Sequence, residues 1–148
     1  MSLVLRPYHN DDLDAALLVW QRAWEAAMPG IDFSVRLAWW WKRWTDELVP
    51  RNAIVVAESN GKLAGFVVID PKSGYLDQIV VRPEDWGTGI AKTLLDEAKR
   101  FAAWITLEVN QSNLLAIRFY EREDFRRTGE GVNPRSGLPT FVYCWTAD

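Results

Sequence analysis

Tyr75-Leu-Asp-Gln-Ile-Val-Val-Arg-Pro-Glu-Asp-Trp-Gly-Thr-Gly-Ile-Ala-Lys-Thr-Leu-Leu-Asp-Glu-Ala-Lys99 reads as a strand, a loop and a helix. Leu76 to Val81 is rich in apolar and β-branched residues, and Pro83 ends the run because it has no N–H to give to a ladder. Gly87 and Gly89 permit backbone conformations closed to other residues, after which Leu94, Leu95 and Ala98 recur at helical spacing. A helix N-terminus offers unpaired N–H groups and a partial positive charge, so the junction predicts an anionic ligand. Two phosphate-binding patterns are excluded. No third glycine follows Gly89 at dinucleotide-binding spacing, and no Gly-Lys-Ser/Thr forms a P-loop.

Upstream, Ala53 to Glu58 and Lys62 to Asp70 are two apolar runs joined through Asn60-Gly61, a strong hairpin signal. A turn at Pro71 to Gly74 leads into the Tyr75 strand, so three consecutive strands are expected to pair antiparallel. Leu3 to Arg6 predicts a first strand, and Asn10-Asp11-Asp12 caps a helix that runs to about Met28 and stops at Pro29-Gly30. Its expected buried stripe is Leu13, Leu17, Trp20 and Trp24. Ser34 is expected to cap a second helix, closed by Pro50, with Leu37, Trp40 or Trp41, Trp44 and Leu48 on one face.

Downstream, Trp104 to Val109 predicts a strand, and Ser112 to about Asp124 a helix with Leu115, Phe119 and the stem of Arg122 on one side. Arg126 to Glu130 and Phe141 to Trp145 close the chain as strands, joined by the loop Gly131 to Pro139. This order predicts an α+β fold in a single domain over residues 1–148. Its central sheet is mixed and mostly antiparallel, with about six or seven strands and about four helices.

The net charge of −3 argues against a nucleic-acid binder working through a broad basic surface. Cys144 is the one cysteine, which excludes an internal disulfide and fits a reducing compartment. The one histidine, His9, leaves no His-rich metal cluster and makes a Ser-His-Asp triad a poor reading. No apolar run is long enough to cross a bilayer, and Arg6 with a polar cluster follows Met1 to Leu5, so no signal peptide is read. A cytoplasmic protein with no metal, no membrane and no nucleic-acid partner is expected. Four of the nine tryptophans, Trp39, Trp40, Trp41 and Trp44, fall inside six residues.

Val81-Arg82-Pro83 followed by Trp86-Gly87-Thr88-Gly89-Ile90-Ala91 resembles the acyl-CoA loop of the GNAT superfamily of N-acetyltransferases, Gln/Arg-x-x-Gly-x-Gly/Ala. Thr106-Leu-Glu-Val-Asn-Gln-Ser-Asn113, then Ala116, Phe119-Tyr120 and Phe125, is similar to the second signature of that superfamily: a strand, an Asn, a helix carrying Ala and Tyr, and a turn before Phe. The resemblance spans about residue 53 to the end, and the first two helices fit it more loosely.

The resemblance implies an acetyl-CoA-dependent N-acetyltransferase with a splayed cleft in its sheet. It places the pyrophosphate of acetyl-CoA, the expected co-substrate, on backbone N–H groups from Trp86, Gly87, Thr88 and Gly89 to Ile90 and Ala91. It places the pantetheine arm along the backbone of Ile79, Val80 and Val81, with Asn113 across the gap and Ala116 keeping the facing helix small. The N–H of about Val81 then serves as oxyanion donor, and Tyr120 as both a cofactor contact and the acid that protonates the leaving thiolate. For the base, three readings stand: Glu108, in a Leu-Glu-Val context similar to the branch that acetylates protein N-termini; Asp77, read as sharing a face with Ile79 and Val81; or an ordered water.

Departures from the pattern bear on the phosphates. Trp86 replaces the usual Gln or Arg and Thr88 stands where a basic residue is common, so Arg82 or Lys92 either compensates or is an ordinary surface cation. Asp124 stands where Gly often precedes Phe125 and is expected to take the left-handed conformation. Cys144 is read as a buried structural residue. The Trp-rich helix reads as core, as a homodimer contact or as an acceptor wall, with Trp41 as one candidate, and Asn133, Arg135 and Ser136 are loop candidates for the acceptor. The leading function is acetyl transfer to a primary amine of a small molecule or peptide, by direct attack in a ternary complex. The alternatives are an inactive acyl-CoA-binding module and an interaction protein working through the Trp-rich helix.

Overall fold

A computed structural model describes residues 2–148. Strands β1 (Leu3–Pro7), β2 (Ala53–Ser59), β3 (Lys62–Ile69) and β4 (Leu76–Val81) form one antiparallel sheet in that order. The other strands, β5 (Trp104–Asn110), β6 (Arg126–Val132) and β7 (Pro139–Thr146), form a second antiparallel sheet in the order β5-β7-β6. The two meet at a parallel bridge between Tyr75 and Thr106, to which the mixed character expected of the sheet is confined. Asn60 and Gly61 both take positive φ, 54° and 80°, the geometry of a tight hairpin turn between β2 and β3. Where the sheets touch, Gly74 accepts from the Thr106 N–H at 3.0 Å. A Cβ on Gly74 would sit 2.1 Å from the Trp104 carbonyl oxygen, so only glycine allows that contact.

Helices cover both faces. On one lie α1 (Leu13–Ala27) and a continuous helical body made of α2 (Leu37–Arg43), a π-helical turn (Trp44–Leu48) and the short α3 (Val49–Arg51). Their core joins Trp20, Trp40 and Trp44 to Val56, Phe66 and Val68. Trp20 and Trp40 stack at 4.6 Å and 8°, and Trp44 meets Phe66 edge-on at 5.1 Å. The expected faces need correction. In α1 the fully buried residues are Ala16, Val19, Trp20 and Ala23, while Leu13, Leu17 and Trp24 are only partly covered. Trp40, and not Trp41, takes the inward position, because Trp41 is 48% exposed. Asp32 rather than Ser34 is the cap, its carboxylate accepting from the Ser34 N–H at 3.0 Å. Pro50 does not itself close the helix: the helical body runs one residue past it, to Arg51, before Asn52 turns extended.

On the other face α4 (Ile90–Ala98) buries Ile90, Leu94, Leu95 and Ala98 against Val67, Ile69, Ile105 and Leu107. The last helix, α5 (Leu114–Arg122), carries two apolar stripes, and the one that packs holds Ala116, Ile117 and Tyr120. The expected Leu115 is 61% exposed. Small Ala116 on the inner stripe lets the helix lie close. In β7 the side chains of Phe141, Tyr143 and Trp145 face this core, so Cys144 points the other way and is half-buried instead of buried. Asp124 takes φ 70°, and Phe125 after it is buried. No described helix is long and apolar enough to cross a membrane.

Candidate active site

The strands β4 and β5 are edge strands of their sheets that face each other. They touch at Tyr75 and Thr106 and then diverge, leaving a cleft of about 700 Å³ that runs between the helical layers. Hydrogen-bond alternation fixes which backbone groups face it. The Arg82 N–H donates to Ala64 at 2.8 Å, so the Gly65–Val81 pair next to it does not exchange bonds. Val81 and Ile79 therefore turn their N–H and C=O toward the open edge. Val80, grouped with them in the sequence reading, turns its backbone to Phe66 of β3 instead.

A bulge resets the side chains of the same strand. Val68 pairs with Gln78 and Ile69 with Leu76, which leaves Asp77 as the extra residue. Asp77 therefore does not share the face of Ile79 and Val81, as strict alternation predicts. It turns toward α2, where the Arg43 guanidinium donates to both carboxylate oxygens at 2.9 and 2.5 Å. With both oxygens engaged, Asp77 holds β4 to α2 and is poorly placed to take a proton.

At the far end of β4 the chain makes a short 3₁₀ turn, Pro83–Asp85, and enters α4 through the two glycines. Gly87 and Gly89 have φ of 79° and 92°, and at both the side-chain position is open space. No side chain caps α4, so its first N–H groups stand free over a glycine-bared surface. The Trp86 indole donates to the Val81 carbonyl at 2.7 Å and leaves the Val81 N–H unclaimed. Neither expected compensating cation is free: Arg82 is paired with Asp85, and Lys92 lies 3.2 Å from Asp96 and 3.1 Å from Glu123.

Asn113 caps α5, its Oδ1 accepting from the Ala116 N–H at 3.2 Å, so only its NH₂ remains for a ligand. Two turns along, Tyr120 lines the cleft and makes no side-chain hydrogen bond among the described residues. Burial, with a smaller contribution from Tyr75, pushes its phenol well above the ordinary tyrosine range, which keeps it a neutral donor. Glu108 lies across the slot. Ile105, Leu107 and Val109 of β5 face the core around Tyr120, so the alternate residue Glu108 points to the opposite side. There its carboxylate accepts from Thr140 Oγ1 at 2.9 Å. A phenol and a carboxylate thus flank the gap between the strands. Tyr75, which the sequence reading passed over, stands at the apex. Burial first, then the charges of Asp77 and Glu108, push its phenol up to about 12. Its place directly after Gly74, the residue on which the sheets meet, was the signal for it.

Trp24, Phe33, Arg36 and Trp39 form the wall on the α1–α2 side. The β6–β7 loop lines the opposite rim through Asn133, Arg135 and Ser136, and the Arg135 guanidinium stacks 3.4 Å over the Trp39 ring. Trp41 lies away from this cleft, on the outer surface between α1 and α2 with Leu17 and Leu18.

Comparison with known proteins agrees with this architecture. The profile of the Acetyltransferase (GNAT) family matches residues 13–125. An uncharacterized N-acetyltransferase of Methanocaldococcus jannaschii is 30% identical over 132 residues, 84% of this chain and 78% of that protein. The peptidyl-lysine N-acetyltransferase YiaC of Escherichia coli is 33% identical over 90 residues, 61% of each chain. Among solved structures, apo YjaB of Escherichia coli superposes with a TM-score of 0.80 at 20% identity over the whole of both chains. The PaiA N-acetyltransferase of Thermoplasma acidophilum in complex with coenzyme A superposes with 0.76 at 21% identity over 99% of both. At those identities the structures show a shared fold, and the profile match shows descent. The chain belongs to the GNAT family of acetyltransferases.

Proposed function

We propose that residues 1–148 act as one domain that transfers acetyl from acetyl-CoA to a primary amine by direct attack. One observation carries this reading: two facing edge strands diverge beside an uncapped, glycine-started helix. An extended amide-bearing arm fits an unpaired strand edge, and a diphosphate fits free helix N–H groups, so the residues present suit this co-substrate. The N–H groups of Gly87, Gly89, Ile90 and Ala91 hold the diphosphate; those of Thr88 and Trp86 are bonded back within the turn. The Ile79 edge and the Asn113 NH₂ guide the arm, and Val81 N–H faces the thioester oxygen. Relatives named peptidyl-lysine N-acetyltransferases support a primary amine as acceptor.

Glu108 takes the proton that the amine sheds, directly or through a water, as the C–N bond forms. The C–S bond breaks, and Tyr120 gives its proton to the departing sulfur, so the products are an amide and a free thiol. The phenol is reprotonated from solvent. Val81 N–H stabilises charge on the carbonyl oxygen between these steps. Cys144 is the one thiol; it does not line the cleft, and its Sγ lies beside Thr106 and Thr128, which supports transfer without an acyl-enzyme. The test is thiol release from acetyl-CoA against a panel of primary amines, with acetyl-CoA binding followed by calorimetry. Amine-dependent release is expected; binding without release on any amine would overturn the reading in favour of an inactive module.

A further inference from the structure

The charges of the acceptor half of the cleft balance in number but are not evenly paired. Its ionic lining consists of Arg36, Arg43, Arg135, Glu47, Asp77 and Glu108. Arg43 is already committed, bidentate to Asp77 and 3.7 Å from Glu47. Removing that cluster leaves two guanidiniums, Arg36 and Arg135, and one carboxylate, Glu108. None of the three has an ion-pair partner among the described residues. Both guanidiniums lie against aromatic rings: Arg36 is 5.2 Å from the centre of Phe33, and Arg135 is stacked on Trp39. Trp39 is also three residues from Arg36, so the two cations share one flank of the wall. Glu108 belongs to the strand beside the reacting slot. The unpaired set is therefore the complement of a molecule with an ammonium at one end and an anionic group at the other.

Resting on the transferase reading above, we infer that the acceptor is a small aminocarboxylic acid. Its carboxylate is held by Arg36 and Arg135, and its amine is presented beside Glu108. Guanidiniums are suited to this because their planar forks match a carboxylate and remain charged at all working pH. The β6–β7 loop, joined to α2 by the Arg135–Trp39 stack, narrows the rim of the cleft and favours a small molecule over a lysine within a folded protein. The transfer is the one already written. The amine nitrogen bonds to the acetyl carbon, its proton passes to Glu108, and the C–S bond breaks with Tyr120 protonating sulfur.

The test compares kcat/KM for matched acceptors: phenylalanine against phenethylamine, lysine against cadaverine, and a lysine within a peptide blocked at both ends. At least one amino acid is expected to exceed its decarboxylated partner by about tenfold or more, the scale of a charge-assisted hydrogen bond. Replacing both cations, Arg36→Gln with Arg135→Gln, is expected to narrow that ratio to within about threefold, and Arg135→Glu to tilt it toward the diamine. Calorimetry with acetyl-CoA reports that each variant is folded. Equal or better use of the decarboxylated amines overturns the inference, as does a ratio that survives the double variant. Transfer to the blocked peptide alone overturns it too, while leaving the transferase reading in place. No transfer to any acceptor, with acetyl-CoA bound, overturns both.

Discussion

Tyr120→Phe separates chemistry from folding, because the structure gives the hydroxyl nothing to do in the folded state except meet a ligand. The ring packs against Phe119 at 5.3 Å and Phe125 at 5.5 Å, contacts that phenylalanine keeps. The hydroxyl makes no side-chain hydrogen bond among the described residues, so its removal orphans no partner. Stability should change by no more than about 0.5 kcal/mol, a shift of about 2 °C or less in Tm. Loss of a general acid costs about 10²–10⁴-fold in rate, or about 3–5 kcal/mol of barrier. The assay is steady-state thiol release on a substrate amine, with acetyl-CoA affinity by calorimetry and Tm by scanning calorimetry. The expected outcome is kcat down by about a hundredfold or more, with Kd and Tm nearly unmoved. Burial raises this phenol above the ordinary tyrosine value, so wild-type kcat should show no fall attributable to it up to about pH 10. A variant within threefold of wild-type kcat would remove Tyr120 from the chemistry.

Four further outcomes follow from the geometry. Glu108→Gln should lower kcat by about 10²-fold with little change in Tm, whereas Asp77→Asn should lower Tm by about 4–8 °C, because it leaves Arg43 without its carboxylate across α2 and β4; the reverse pattern would exchange their roles. Gly89→Ala should raise the calorimetric Kd for coenzyme A about tenfold and cost about 1 kcal/mol, since φ 92° is strained for alanine and its methyl enters the open space above the helix N–H groups. Gly30→Ala, with no atom near its side-chain position, is the control. Hydrogen bonding from Arg6 foremost holds the Asp12 carboxyl below its ordinary value, so that pair's stabilisation is present above about pH 4 and is lost as pH falls through the depressed value; Arg6→Ala should flatten the acid limb of a urea-unfolding series.

Local chemistry was legible where it depends on neighbours in sequence. Asn60-Gly61 announced a turn needing two positive φ values, Asp124 its left-handed bend, and Gly87 and Gly89 the bared start of α4. What failed were inferences that carry a period across an insertion. Alternation placed Asp77 with Ile79 and Val81, and one bulged residue sent it to Arg43, thirty-four positions away. The helix faces were only partly legible for a related reason: Trp20, Trp44 and Leu48 were read inward as found, while Trp40 was one of two readings. Three consecutive tryptophans, Trp39 to Trp41, and the double stripe of α5 leave the phase open until a partner surface selects it, here the Trp20 ring and the narrow gap beside Ala116. The acceptor wall was least legible, because Arg36, Glu108 and Arg135 come from three distant segments that only the fold brings to one cleft.

Amide hydrogen exchange with and without coenzyme A tests the central claim most directly, because the cleft is defined by which backbone N–H groups lack partners. On saturation, exchange at Ile79 and Val81 should slow and the amide resonances of Gly87, Gly89, Ile90 and Ala91 should shift, while Val80, already bonded to β3, keeps its rate. Unchanged exchange at Ile79 and Val81, or shifts gathered at another helix terminus, would place the co-substrate elsewhere and contradict the site described.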